Sequence, residues 1–512
     1  MRRGNSIRER AQPEDTMTTA NHEGFGRRTF LKQMATVAGT APLAPALLGA
    51  TAASAQTAPL HGAETDHETE RLAAYAVKLR YEDLPPAVVQ RAKDCMCDTV
   101  AAIIYGAELP WSKIIIAYAR RNGAAGKSSI LGTGGEGVHP PAAALANGAM
   151  THAFELDNLT KPDSGSHPGA TVFTAALAVA QERGLSGREL LTAFVAGAES
   201  MIRIGHATKH TNEARGFHAP GTTGPFGAAV AAGRVMGLDA AGMTNALGVA
   251  GSCAGGLLEF AHAGNGAMVK RLHMGRAAEG GVMAASLAAD GFTGPTSVLE
   301  GEYGFLRVFC NDWDVSELTH GLGTDYFTLD IMLKRYACHI TAHNPVEATL
   351  DLRNAHKFTA ADVAAITIAG NDRMAKTNNI PAPGDMMMAQ YSIPFSVALS
   401  LYRDPIDPRS FDESAVRDRA ILDLASRTRM AVTPGQDRRD LAATVTVKLR
   451  DGREVSRQVT SFKGTPERPL ARAELQEKFV LLTQRLGRDK MLPVFDRLQA
   501  IENEKTLDWL NV

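Results

Sequence analysis

The sequence predicts a mainly α protein, and three of its features carry that prediction. From residue 70 to 333, apolar residues recur at helical spacing through stretches rich in alanine and glycine; between 334 and 465 strand-like alternation enters, and from 466 helical spacing returns. The expected architecture is a large discontinuous all-helical domain, residues 70–333 completed by 466–512, with a smaller α+β domain over 334–465. With 512 residues, 45% of them hydrophobic and 21% charged, the chain has material for a large core in more than one domain.

The elements follow in chain order. Residues 1–56 stand outside the fold: Gly26-Arg27-Arg28-Thr29-Phe30-Leu31-Lys32 precedes a mildly apolar run, Met34 to Ala50, and Ala53-Ser54-Ala55 lies just before Gln56. The paired arginines and small-residue cleavage site resemble a twin-arginine signal, which implies the twin-arginine export machinery as a partner, a periplasmic protein, and no stable membrane insertion after signal removal. A retained anchor fits less well, because the run is short and rich in alanine and glycine. Residues 57–69 read as a flexible polar leader.

Leu72, Tyr75, Ala76 and Leu79 mark the first helix, and Pro85-Pro86 opens a second that presents Val89, Ala92, Met96 and Val100. Helices are expected at 140–153, 169–182, 187–204, 224–236, 240–248 and 273–290, packed closely because their contact residues are small. A strand is expected over 362–370 and another over 443–449, where Val445, Val447 and Leu449 alternate with Thr444, Thr446 and Lys448 before a hairpin at Asp451-Gly452. A helical stretch at 411–426 lies between them, and Leu475, Phe479, Leu482 and Leu486 begin the closing helices.

A formal charge of −1 gives no general attraction to nucleic acid or anionic lipid. The cysteines at 95, 97, 253, 310 and 338 share no spacing, so they read as core thiols rather than a disulfide framework or a zinc set. His339 and His343 have the i,i+4 spacing of a zinc helix, but Pro345 follows at once and the metalloprotease glutamate is missing. No metal and no cofactor is expected.

Four segments can carry chemistry. In His152-Ala-Phe-Glu-Leu-Asp157-Asn-Leu-Thr-Lys161-Pro-Asp-Ser-Gly-Ser-His167-Pro168, an acid, a cation and an imidazole precede an apolar helix. A histidine at a helix start is disfavoured as a cation and can act as a neutral base, or it can be a cap. His218 and Thr222 belong to a glycine-rich run, 216–227, whose N–H groups and hydroxyls suit a carboxylate or whose glycines permit a tight turn; it lacks the P-loop lysine. Lys270, Arg271 and His273 cluster just before a helix, as expected around an acidic substrate, although a solvated charge run looks alike. Lys334 lies at the domain junction, where it can reach a cleft.

The same residues resemble the MmgE/PrpD family over about 70–512: Asp157 with His167-Pro168-Gly169, Gly216-Phe217-His218 with the Gly-Thr-Thr-Gly-Pro-Phe-Gly run, Lys270-Arg271-Leu-His273-Met-Gly275, Gly291-Phe-Thr-Gly294-Pro295, and Lys334-Arg-Tyr336-Ala-Cys338. The resemblance implies a helical domain closed by an α+β lid, a homodimer, and a cofactor-independent site between domain and lid. It implies a carbanion beside a carboxylate, with Asp157, His167, His218, Lys270 and Lys334 catalytic and Lys161, Arg271, His273, Thr222 and Tyr391 binding a small carboxylic acid. In the family a later aromatic falls near Tyr391-Ser-Ile-Pro-Phe395; phenylalanine stands at the matched position, so the hydroxyl is either missing or supplied by Tyr391. Asn158 stands where many relatives carry a carboxylate. The expected reaction is dehydration of a hydroxylated di- or tricarboxylic acid, with decarboxylation, epimerisation and non-catalytic binding of an organic acid as alternatives.

Overall fold

The computed structural model describes residues 67–160, 164–261 and 267–512. The export signal, the leader to residue 66 and Lys161 lie outside the described residues.

Small residues set the architecture of the helical region. Helix Ala219–Met236 packs against Gly187–Ala207 on one side and Val269–Ala289 on another, and Val269–Ala289 also packs on Pro140–Thr151. At these crossings a side chain has no room: a Cβ on Gly275 would come 2.3 Å from the Leu145 carbonyl oxygen, and one on Gly281 would come 2.3 Å from the Ala228 Cβ. Interaxial distance follows side-chain bulk, so alanine and glycine at the contacts bring the backbones together.

Two helices begin earlier than their apolar pattern predicts. The Gly221-Thr222-Thr223-Gly224 run forms the first turns of helix Ala219–Met236 instead of a loop before it, and Lys270, Arg271 and His273 sit inside helix Val269–Ala289. Glycines at 221, 224 and 227 serve close approach: a Cβ on Gly224 would meet Ala277 at 2.8 Å and one on Gly227 would meet Met201 at 2.7 Å. The helix expected over 169–182 opens with a π-turn, Gly169–Phe173, before Thr174–Arg183.

The strands form a four-stranded sheet in the order Thr428–Val432, Val363–Gly370, Ala443–Leu449, Glu454–Val459. The first two pair in parallel and the others are antiparallel, with Ile366 opposite Val447 and Ile368 opposite Val445. Period-two alternation buries Ile366, Ile368, Val445 and Val447 on one face, and helix His343–His356 packs on the hairpin strands. Gly452 turns that hairpin with φ 91°. Beyond the sheet, helices Arg472–Thr483 and Arg488–Gln499 return to pack on Pro86–Gly106. Cys95 and Cys97 are buried in that helix, and all five cysteines are free.

Candidate active site

The site grows from the turn that follows helix Pro140–Thr151. Glu155 takes a left-handed backbone with φ 57°, which costs a residue bearing a Cβ roughly 1–2 kcal/mol. Its carboxylate accepts hydrogen bonds from Lys270 Nζ, a very short contact, and from Lys334 Nζ at 2.9 Å. All three side chains are buried. Burial alone would raise the Glu155 pKa, but the Lys270 and Lys334 ammonium groups outweigh it and hold the carboxyl well below its ordinary range. Burial also lowers the Lys270 pKa, with Arg271 adding to the effect and Glu155 opposing it.

Two residues further on, Asp157 holds two imidazoles. Its Oδ2 lies 2.7 Å from His167 Nδ1, both its oxygens lie 3.0 Å from His152 Nδ1, and the two rings meet edge to face at 5.0 Å. A carboxylate only accepts, so each Nδ1 carries the proton and His167 Nε2 is left with its lone pair. Burial lowers both imidazole pKa values, that of His152 to about 4, even though Asp157 pulls the other way.

His218 immediately precedes helix Ala219–Met236, and its Nδ1 lies 3.1 Å from His273 Nδ1. Burial, then the Lys270 charge, places its pKa well below the ordinary value. These groups line one cavity of about 630 Å³: Glu155, His167, His218 and Lys270 from the helical region, facing His339, Arg373 and Tyr391 of the α+β region, with Lys334 at the junction. Lys270 Nζ lies 4.8 Å from the centre of the Tyr391 ring, and that ring packs on His339 at 4.9 Å.

A second set of buried polar groups braces the first. Asn158 Oδ1 accepts from the Gly169 amide at 3.0 Å, and its Nδ2 donates to Asp98 at 3.1 Å and Thr99 at 3.0 Å. An amide both donates and accepts here, so asparagine serves where a carboxylate could only accept. Lys478 Nζ, from helix Arg472–Thr483, donates to Asp98 at 2.5 Å, to the Leu156 carbonyl at 3.1 Å and to the Lys334 carbonyl at 2.6 Å.

Among the residues predicted from sequence, His167, His218, Lys270, Lys334 and Tyr391 line the cavity, and Asp157 holds His167 from behind. His273 does not line it: it stands behind His218 and opens on a neighbouring apolar cavity. Arg271 turns away, with its guanidinium 5.4 Å from the centre of the Trp111 ring and its Nε donating to the Ala153 carbonyl at 3.4 Å. Thr222 is buried in its helix, where its hydroxyl donates to the Ala219 carbonyl and accepts from Asn212. His343 packs between Tyr336 and Phe462 and does not share a face with His339. His152, Glu155 and Arg373 are additions that the sequence reading did not select.

His152, Asp157 and His167 also form the one group among the described residues with three metal-type donor atoms close together. Hydrogen bonds from two imidazoles to one carboxylate account for that arrangement.

The buried neutral imidazoles make the fold acid-sensitive. For His152, with a pKa of about 4 against 6.5 when unfolded, only the unfolded chain takes up the proton between those values, so stability falls with pH by about 3 kcal/mol at pH 4. His167, His218 and His339 shift in the same direction. Thermal scans should show the unfolding temperature dropping steeply below pH 6.5; a constant value down to pH 4.5 would contradict the burial of neutral rings.

The N-terminal domain model of the MmgE/PrpD family matches residues 70–318, and the family's C-terminal domain model matches 336–497. The chain is similar to cis-aconitate decarboxylase of Aspergillus terreus, 30% identical over 446 residues, 80% of this chain and 88% of the relative. It is also similar to the cis-aconitate decarboxylases of Homo sapiens, 28% identical over 427 residues (80% and 86% of the two chains), and Mus musculus, 25% over 455 residues (85% and 91%).

Proposed function

Because the chain belongs to the MmgE/PrpD family, we propose that it is a lyase that removes carbon dioxide, or in the second instance water, from a small acid bearing several carboxylates. The observation that carries this reading is the placement of the Asp157-held His167 in the same cavity as the Lys270 and Lys334 ammonium groups. The family resemblance and the names of the relatives support it.

In decarboxylation the lysines hold a carboxylate that stays on the product. The bond to the departing carboxylate breaks, carbon dioxide leaves, and the electron pair spreads onto the carboxylate held by the ammonium groups, where a dry site stabilises it most. An imidazolium then delivers a proton to carbon. Burial keeps the rings neutral before substrate arrives; a polyanion reverses that balance, so the substrate recruits the proton that completes its own reaction. In dehydration His167 Nε2 instead takes the proton beside the carboxylate, and His218 protonates the departing hydroxide.

The test is proton NMR in deuterated water with unsaturated and hydroxylated di- and tricarboxylates. Deuterium at carbon together with loss of carbon dioxide or water is the expected result. Exchange without a change in composition would make the enzyme an epimerase, and saturable binding without exchange would make it a binding protein.

A further inference from the structure

The two inner lysines of the cavity share a single counter-charge, since Glu155 stands against both Lys270 and Lys334. Its outer wall is different. There each of four cations has its own carboxylate: Lys209 lies 3.2 Å from Asp312, Arg373 3.3 Å from Glu213, Arg438 3.4 Å from Asp372 and Arg439 3.2 Å from Asp437. Of these cations Arg373 is the most enclosed, with its side chain 30% exposed against 44% for Lys209, 71% for Arg438 and 57% for Arg439. A charge-assisted hydrogen bond gains strength with desolvation, so Arg373 is the rim cation best placed to recognise a carboxylate.

Arg373 is already engaged by one. Its Nη2 lies 3.3 Å from Glu213 Oε2, and that same oxygen lies 2.5 Å from His210 Nε2. Arg373 sits in helix Asp372–Thr377, directly after a strand of the sheet, and Glu213 sits in the short helix Thr211–Ala214 of the helical region. The pair therefore crosses the cavity mouth, and its second partner His210 keeps Glu213 supported when the arginine is drawn elsewhere.

We propose that Arg373 binds the carboxylate of the substrate farthest from the reacting carbon, and that Glu213 is its internal stand-in, displaced when a ligand with a third carboxylate enters. This rests on the reading of the site as one for polycarboxylates and narrows it to tricarboxylates. A dicarboxylate satisfied by Lys270 and Lys334 leaves the Arg373–Glu213 pair in place.

The test is equilibrium binding by calorimetry to the full chain, using propane-1,2,3-tricarboxylate and pentanedioate, which differ by one carboxylate and need no turnover. The wild type should bind the tricarboxylate at least tenfold more tightly. Arg373→Ala should remove most of that difference while changing pentanedioate affinity by less than threefold, Arg373→Lys should restore part of it, and Glu213→Gln should tighten the tricarboxylate, because the competing charge is gone. Equal affinity of the wild type for the two acids would overturn the proposal, as would an Arg373→Ala variant that weakens both equally, which is the mark of a merely structural latch. Failure of the lyase reading would appear separately, as absence of deuterium incorporation in a protein that still discriminates between the two ligands.

Discussion

Replacing His167 by alanine is expected to lower kcat by about a thousandfold, within the 10²–10⁴ range of general acid–base catalysis, while KM changes by only a few fold. The split follows from geometry: Lys270 and Lys334, the proposed carboxylate-binding groups, are held by Glu155 and not by His167. The variant should remain folded, because His152 still donates to Asp157 at 3.0 Å and keeps that buried carboxylate hydrogen-bonded. Free imidazole should return part of the activity through the space left. A kcat within tenfold of the wild type would move the proton-transfer role to His218, another imidazole that lines the cavity.

Glu155→Gln should have the largest effect on stability, a loss of about 3–5 kcal/mol, because it leaves two buried ammonium groups without their common counter-charge. The sign of its pH dependence identifies the cause. An unpaired buried lysine has a folded pKa below its unfolded one, so the variant regains stability as pH rises and the ammonium groups lose their protons. Thermal melts of wild type and variant should therefore converge at alkaline pH and separate most near neutrality. A constant gap across pH 7–10 would mean that the glutamate is needed for its shape or its backbone turn rather than for its charge.

Much of the fold was legible because the relevant patterns are local. Val445, Val447 and Leu449 announce their strand by alternation, and the alanine-rich helices announce themselves by spacing. Strand Thr428–Val432 left no comparable mark: it is short, follows directly on helix Arg419–Ser426, and owes its conformation to parallel pairing with Val363–Gly370. Helix Ile393–Tyr402 is apolar on every side, so it shows no amphipathic period. In the site, lysines and histidines stood out as polar groups in apolar surroundings, and the segment 152–167 was visible as a cluster. Glu155 was not, because its role depends on a left-handed backbone and on lysines 115 and 179 residues away. Thr222 was misplaced because a glycine–threonine run reads as a loop unless a neighbouring helix is known to need the space.

The bond from Lys478 to the Leu156 carbonyl joins residues 322 apart in the chain, and the one to the Lys334 carbonyl spans 144. Leu156 lies between the site residues Glu155 and Asp157, Lys334 is itself a cavity residue, and the common donor to their carbonyls comes from helix Arg472–Thr483, later in the chain than both. A nascent chain that has produced every acid, base and cation of the cavity still lacks the tie that sets Leu156 against Lys334. The geometry of the cavity thus depends on the docking of helix Arg472–Thr483, an element remote in sequence from both carbonyls it ties.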